Sequence, residues 1–474
     1  MDLIVLDQIP IPQTRFNAIG FSAGWHMLQV SEMFSAKVPR YTSYPTAPHF
    51  HSGIDEAVYR DWLRNLPENA PLSLYVHIPF CDTLCWFCGC HTTAVNSYKP
   101  VADYCDLLQK EVELVSQALK TRRAVSHIHW GGGSPTLLHI GDIARLDADL
   151  RRHFDVLPDA EFSIEIDPRG LDGATVAAMR KAGVTRASIG LQDCNAKVQQ
   201  AINRIQSDEE TIEAVSLLRE AGISSLNIDL VYGLPYQTLE NWEATLDFAL
   251  WLSPDRLSVF GYAHVPQFKK HQALIPESAL PDIQLRFEQA ELAREILCAH
   301  GYVAIGLDHF AKPGDALAVA AKHGEVARNF QGYTTDNAAA LIGLGASAIG
   351  SFPQGYVQNI ANVPAYRDAV QSGRLPVARG VAVSDDDRIR RAVIERLMCD
   401  LRADLPAIAA RYNRPLTDFA EALANLAPMK DRGIVAEKDG ILMIAPDWRS
   451  ATRLVCAAFD RYLPQGTARH SVSV

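Results

Sequence analysis

The stretch LYVHIPF, residues 74–80, reads as a buried β-strand that runs directly into four closely spaced cysteines, Cys81, Cys85, Cys88 and Cys90. Downstream of the cysteines, Val101, Tyr104, Leu107, Leu108, Val112 and Val115 recur at helical spacing. The alternation then repeats. HIHWGGG (127–133) precedes a helix near 141–152, FSIEID (162–167) a helix near 171–182, and RASIGLQ (186–192) a helix near 208–221. SLNIDLVYGL (225–234) precedes a helix near 239–252, which leads to LSVFGYAHV (257–265). Six β-rich segments separated by helix-length segments imply an α/β fold built from βαβ units around a parallel sheet. The pattern fits a partial six-unit TIM-like barrel or a doubly wound sheet.

In both architectures ligands bind at the carboxyl ends of the strands. Those ends carry Cys81, Gly131–Gly133, Glu165 with Asp167, Gln192, Asp229 with Gly233, and His264. Turns are polar in any protein, but this succession predicts one site at the mouth of the sheet.

The other five cysteines, Cys105, Cys194, Cys298, Cys399 and Cys456, are far apart. Cys105, Cys298, Cys399 and Cys456 stand in helix-like apolar surroundings, where a free cysteine behaves as a small hydrophobe. An odd total of 9 argues against a disulfide framework. Over 474 residues the net charge is -10, which opposes nucleic-acid binding, and the 48% hydrophobic content supports a large core. No stretch approaches the roughly 20 apolar residues of a membrane span. With no basic or cleavable leader after Met1, the expected compartment is the cytoplasm.

Residues 1 to about 38 show no clean periodicity and read as a flexible arm, or as an extension upstream of a start at Met27 or Met33. PRYTSYPTAPHF (39–50) is dense in Pro and Tyr, and reads as an arm that closes over the pocket or as an ordinary loop. Beyond residue 365 come charged helices, then IVAEKDGILMIA (434–445), a hairpin with Asp439-Gly440 at its turn. The expected domains are a substrate-covering arm over 1–54, the partial barrel over 55–364, and a mostly helical, winged-helix-like unit over 365–474.

The cysteine spacing is C-x3-C-x2-C, with Cys90 two residues beyond. Four ligands this close would be cramped around one tetrahedral zinc ion, which usually draws pairs from separate segments. A larger iron–sulfur cluster accepts soft thiolates and, held by three cysteines, leaves one iron open. The cluster is therefore preferred over zinc and over untethered thiols.

CDTLCWFC (81–88) resembles the CxxxCxxC motif of the radical S-adenosylmethionine superfamily, and WGGGSPT (130–136) is similar to its methionine-binding turn. YVHIPFC, CWFCGC, HWGGGSPT, EIDPR, IGLQD, NRIQ, NIDLVYGLP, DRLSVFGYAH, DHFAKP and RNFQGYTT together resemble the oxygen-independent coproporphyrinogen III oxidases, also called dehydrogenases, from about Pro39 onward. The resemblance implies a [4Fe-4S] cluster, two S-adenosylmethionine molecules and a 5′-deoxyadenosyl radical. It implies oxidative decarboxylation of the ring A and B propionates of coproporphyrinogen III to vinyls, giving protoporphyrinogen IX in haem synthesis. A low-potential donor of flavodoxin or ferredoxin type, an electron acceptor and a monomeric state follow from the same resemblance.

Residue by residue, the resemblance assigns Cys81, Cys85 and Cys88 to the cluster and leaves Cys90 out. It places Tyr75, Gly132, Glu165 and Ile349 against the S-adenosylmethionine on the cluster. Phe87, Gly133, Ser134, Gln192, Arg204, Asp229 and Ala263 match positions contacting the second; Ser134 stands where the family usually has Thr. Tyr75, Glu165, Arg204 and Cys90 are the catalytic candidates. A tetracarboxylate substrate needs local positive charge, for which Arg40, Arg204, Lys312 and Arg328 are candidates. Two rival readings are a haem chaperone and a haem-opening methyltransferase of the same superfamily. The chaperones have Phe at the position of Cys90 and lack RNFQGYTT, which favours the oxidase.

Overall fold

The computed structural model describes residues 33–463. The sequence reading of an arm or upstream extension over residues 1 to about 38 lies mostly outside the described residues. The six expected strands are present: β1 (Leu72–Ile78), β2 (Ala124–Gly132), β3 (Asp155–Ile166), β4 (Arg186–Gln192), β5 (Ser225–Tyr232) and β6 (Arg256–Gly261). All pair in parallel, each with the next in the chain. A doubly wound sheet would reverse its order; this one does not, so the architecture is that of a barrel. A seventh parallel strand, β7 (Ala340–Leu344), pairs outside β1. The sequence reading missed it because this strand is only five residues long and sits far along the chain from the strand it pairs with.

The sheet stays open. Three antiparallel strands, Ile349–Phe352, Gly355–Asn359 and Val377–Ala382, extend it beyond β7, and His309–Ala311 and Val303–Ile305 extend it beyond β6. The sheet therefore runs past residue 364 as far as Ala382.

Helices α1 (Lys99–Ala118), α2 (Ile140–His153), α3 (Gly173–Ala182), α4 (Asp208–Glu220) and α5 (Leu239–Trp251) occupy the crossovers. The six apolar positions read on α1 are all buried against the sheet. Capping boxes start α4, between Ser207 and Glu210, and α5, between Thr238 and Asn241. Each satisfies two backbone N–H groups that the first helical turn leaves without partners.

A second core gathers around the helix Asp385–Asp400 and a three-stranded sheet that includes the hairpin Val435–Lys438 and Ile441–Ile444. Asp439 and Gly440 both have positive φ, 53° and 76°, as a tight two-residue hairpin turn requires. The 39–50 arm is built into this core. Tyr41 and Tyr44 are 4% and 1% exposed. The Tyr41 hydroxyl donates to Asp460 at 3.1 Å, and the Arg461 N–H donates to the Tyr44 hydroxyl at 3.1 Å. A freely swinging cover does not fit this packing, because lifting the arm exposes both rings. The arm is a strap anchored on the C-terminal core, with Arg40 on the cavity wall.

Candidate active site

Alternate residues on the strands face one cavity of about 710 Å³. The period of two sets the lining: His127 and His129 on β2, Ser163 and Glu165 on β3, Ser188 and Gly190 on β4, Asn227 and Asp229 on β5, and Ser258 and Phe260 on β6. Packed barrels fill this space with branched apolar side chains. Here the inward positions are mostly polar, so the lumen stays open as a binding site.

The cysteine loop between β1 and α1 forms part of the rim. Cys81, Cys85, Cys88 and Cys90 all line the cavity, as do Phe87, Gly132, Gly133, Glu165, Gln192, Arg204, Asp229 and Ala263. Three candidates lie outside its lining. The Tyr75 hydroxyl is 2.9 Å from His77 Nδ1, and its ring stacks on His129. Ser134 faces an adjoining groove, with its hydroxyl 2.7 Å from that of Thr136. Ile349 packs beside Phe50 and Tyr356 on the antiparallel extension.

The glycine run after β2 is tight against its neighbours. Gly132 has φ +118°, and a Cβ there would lie 2.7 Å from the His77 ring. A Cβ on Gly133 would lie 2.3 Å from the Phe80 carbonyl oxygen, so the turn and the cysteine loop close together only without side chains here. The Gly132 N–H donates to Glu165 Oε2 at 3.0 Å, and His129 Nε2 is 3.2 Å from Oε1. Burial pushes the Glu165 carboxyl up, but these hydrogen bonds and the His77 and His129 rings outweigh it and hold it below the usual carboxylate range. Burial raises the Asp229 carboxyl, although Ser188 and Asn227 donate to it at 2.9 and 2.8 Å.

Two arginines reach the cysteine loop. Arg204 Nη1 donates to Cys85 Sγ at 3.6 Å, and Arg169 Nη2 does so at 3.8 Å. Arg204 also donates to Asp167 Oδ2 at 3.2 Å and to the Gly190 carbonyl at 2.6 Å. The Cys90 N–H donates to Cys88 Sγ at 3.3 Å. Hydrogen bonding from Cys90 outweighs burial and lowers the Cys88 thiol below its ordinary value.

The donor set fits a cluster. Among the described residues no three His, Cys, Asp or Glu side chains converge as a single ion would require. Three cysteines instead sit around one loop, beside glycines and N–H donors aimed at sulfur. Cys81, Cys85 and Cys88 carry the CxxxCxxC spacing of the radical S-adenosylmethionine enzymes, and the Radical SAM superfamily model matches residues 75–249. The curated relatives narrow the class. The chain is 49% identical over 438 residues to the oxygen-independent coproporphyrinogen III oxidase of Bradyrhizobium diazoefficiens, covering 92% of this chain and 97% of the relative. It is 43% identical over 442 residues to that of Paracoccus denitrificans, covering 93% and 98%. The crystal structure of the coproporphyrinogen III oxidase HemN of Escherichia coli, described as a radical SAM enzyme, superposes with a TM-score of 0.85 at 39% identity, over 90% of this chain and all of that one. The chain belongs to the oxygen-independent coproporphyrinogen III oxidase family.

Sequence reasoning missed Arg169, Arg186 and Arg256 in the lining, and the His77–His129 pair behind Glu165. Strand parity was the available signal: Arg186 shares its face with Ser188 and Gly190, and Arg256 with Ser258. Of the proposed carboxylate-binding cations, Arg40 and Arg204 line the cavity, and Arg328 lies outside its lining. Lys312 does not line it either: it donates to the Ser253 carbonyl at 2.9 Å on the outer surface. The hairpin formed by RNFQGYTT lines the cavity through Asn329, Gln331, Tyr333 and Thr334. Among the described residues no helix is long and apolar enough to cross a membrane.

Proposed function

We propose that the protein carries out the anaerobic oxidative decarboxylation of coproporphyrinogen III to protoporphyrinogen IX in haem synthesis. The observation that carries this reading is the single 710 Å³ cavity shared by the cysteine loop, Glu165 and the arginines. It joins the place where a radical is made to a space suited to a flexible tetracarboxylate. When bound, the [4Fe-4S] cluster and S-adenosylmethionine supply a 5′-deoxyadenosyl radical. Overall, each reacting propionate would lose one hydrogen atom, one CO2 and one electron and become a vinyl.

Cys81, Cys85 and Cys88 hold the cluster. Gly132 and Glu165 receive the first S-adenosylmethionine: the carboxylate stays ionised at neutral pH and attracts its ammonium group. Tyr75 holds His77 behind that turn, and Ile349 supplies apolar packing. Phe87, Gly133, Gln192, Arg204, Asp229 and Ala263 on the cavity wall, with Ser134 in the adjoining groove, are the positions proposed for a second S-adenosylmethionine. A monomeric state belongs to the same proposal. A flavodoxin or ferredoxin-type donor and a separate acceptor complete the electron balance.

The test is anaerobic incubation of the cluster-loaded protein with coproporphyrinogen III, S-adenosylmethionine and a reductant, followed by mass analysis. Loss of two CO2 per macrocycle is expected. A ring-opened or unchanged tetrapyrrole overturns the reading.

Cys90 serves the site without holding iron. Its side chain faces the cavity, while its N–H supports Cys88. Cys90→Ser preserves that backbone donor, so iron and sulfide stay at the wild-type level while turnover falls severalfold. Iron content dropping as far as in Cys81→Ala would make Cys90 a ligand.

A further inference from the structure

The Glu165 side chain is 38% exposed at the cavity wall. A glutamate has several rotatable bonds, so an open position alone does not fix where its oxygens point. Here both oxygens are held. Oε2 accepts from the Gly132 N–H at 3.0 Å, and Oε1 faces His129 Nε2 at 3.2 Å. The carboxylate lies against the glycine turn: a Cβ on Gly131 would stand 2.6 Å from Oε1.

His129 is itself fixed by the neighbouring strands. In the parallel registers it pairs with Tyr75 on β1 and with Ser163 on β3. Its ring stacks on that of Tyr75, with centroids 5.6 Å apart and planes at 24°. Its Nδ1 lies 2.7 Å from the Ser163 hydroxyl. An ionised carboxylate only accepts, so Nε2 carries the hydrogen that it gives to Glu165. A hydroxyl both gives and takes, so Ser163 serves Nδ1 whether or not that nitrogen carries a hydrogen. A histidine that merely packed would spend its nitrogens on backbone or water. Both nitrogens of His129 meet side chains of β3, and one of these is Glu165.

We propose that His129 is a positioning residue: it holds Glu165 on the glycine turn, aimed to receive the ammonium group of the S-adenosylmethionine on the cluster. The inference rests on the reading of Glu165 given above and adds the group that aims it. Without the Nε2 donor the carboxylate keeps only the Gly132 N–H, its side chain swings into other rotamers, and less opposes the effect of burial on the carboxyl. The other titratable groups that act on or feel Glu165 are His77, Tyr75, Cys90 and Asp229.

The test uses the full chain with its cluster loaded and reduced, titrated with S-adenosylmethionine while the electron paramagnetic resonance of the cluster is followed. That signal reports the molecule bound at the iron and needs no tetrapyrrole. His129→Phe keeps a ring on Tyr75 and removes both nitrogens, whereas His129→Gln places an amide N–H near the position of Nε2. At about pH 8, His129→Phe weakens S-adenosylmethionine roughly tenfold, as the loss of one hydrogen bond to a charged group predicts, and His129→Gln recovers most of it. The pH profile separates aiming from packing. Glu165 attracts the ammonium only when ionised, so affinity is lost as the pH falls through the pKa of the carboxyl in the folded protein. With Gln at position 129 the carboxyl stays low and affinity is flat from about pH 8 to about pH 6; with Phe the carboxyl rises and affinity falls over the same range. Neither replacement titrates, and the other groups around Glu165 are the same in both variants.

Wild-type affinity in His129→Phe overturns the proposal, as do equal losses or equal pH profiles in the Phe and Gln variants. Ser163→Ala removes only the hydroxyl that holds Nδ1 and weakens S-adenosylmethionine severalfold. If His129→Phe does not load iron, wild-type affinity in Ser163→Ala overturns the proposal. If wild-type protein releases two CO2 per macrocycle while these variants bind S-adenosylmethionine normally, the positioning role alone fails. If the variants behave as described but wild-type protein releases no CO2, the functional reading alone fails.

Discussion

Cys85→Ala is expected to yield a folded protein with less than about a tenth of the wild-type iron and no measurable decarboxylation. Cys85 is 8% exposed and lines the same cavity as Cys81 and Cys88. Its sulfur receives N–H groups from Arg169 and Arg204. Removing it takes away one of three thiolates and leaves two guanidinium groups facing a void. No carboxylate or imidazole beside it completes a three-donor set among the described residues. Cys81→Ala and Cys88→Ala are expected to behave alike. Cys105→Ala is the control: that thiol is buried in the α1 core, and it loses a little packing and no iron. Iron and sulfide assays with electron paramagnetic resonance of the reduced protein measure all four. Full iron content in Cys85→Ala would remove it from the cluster.

The fold was legible where local pattern and global role coincide. In HIHWGGG, RASIGLQ and SLNIDLVYGL apolar core residues alternate with polar or small ones that face the cavity, a period of two that reads as strand. Their crossover helices carried clear periodicity. β7 was not legible, because five residues joined to the sheet from far along the chain leave no local signature. The arm's anchorage was not legible for a related reason. Pro and Tyr density shows that a segment is stiff and adhesive, but not what it adheres to, and its partners Asp460 and Arg461 lie more than 400 residues away. The cysteines and the glycine turn were legible because their spacing is itself the chemistry. A second, arginine-lined cavity that shares Arg40 with the first was not: its six arginines come from four separate segments, and each alone reads as a surface charge.

Arg204→Met is expected to keep the cluster yet lower turnover tenfold to a hundredfold. The sequence reading gave Arg204 a ligand carboxylate as its partner; the carboxylate it meets within the chain is Asp167. The Arg204 side chain is 7% exposed and ties together three points: Asp167, the Gly190 carbonyl at the end of β4, and Cys85 Sγ. Losing a hydrogen bond from a buried charged group costs about 1.5–3 kcal/mol, which converts to that range of rates if the lost contacts position the reacting groups. Asp167 is not abandoned, because Arg169 still donates to it at 2.6 Å. Folding and iron loading therefore survive. Cys85 loses its nearer N–H donor, and a thiolate with fewer donors makes its cluster harder to reduce. The variant should show a more negative reduction potential by redox titration, and less 5′-deoxyadenosine formed with a weak reductant than with a strong one. Arg204→Lys should recover part of the potential, since it restores a cation near sulfur, but not the fork to Gly190 and Asp167. A purely structural role would lower stability and leave the potential unmoved. Wild-type turnover and potential in Arg204→Met would put this residue outside the reaction altogether.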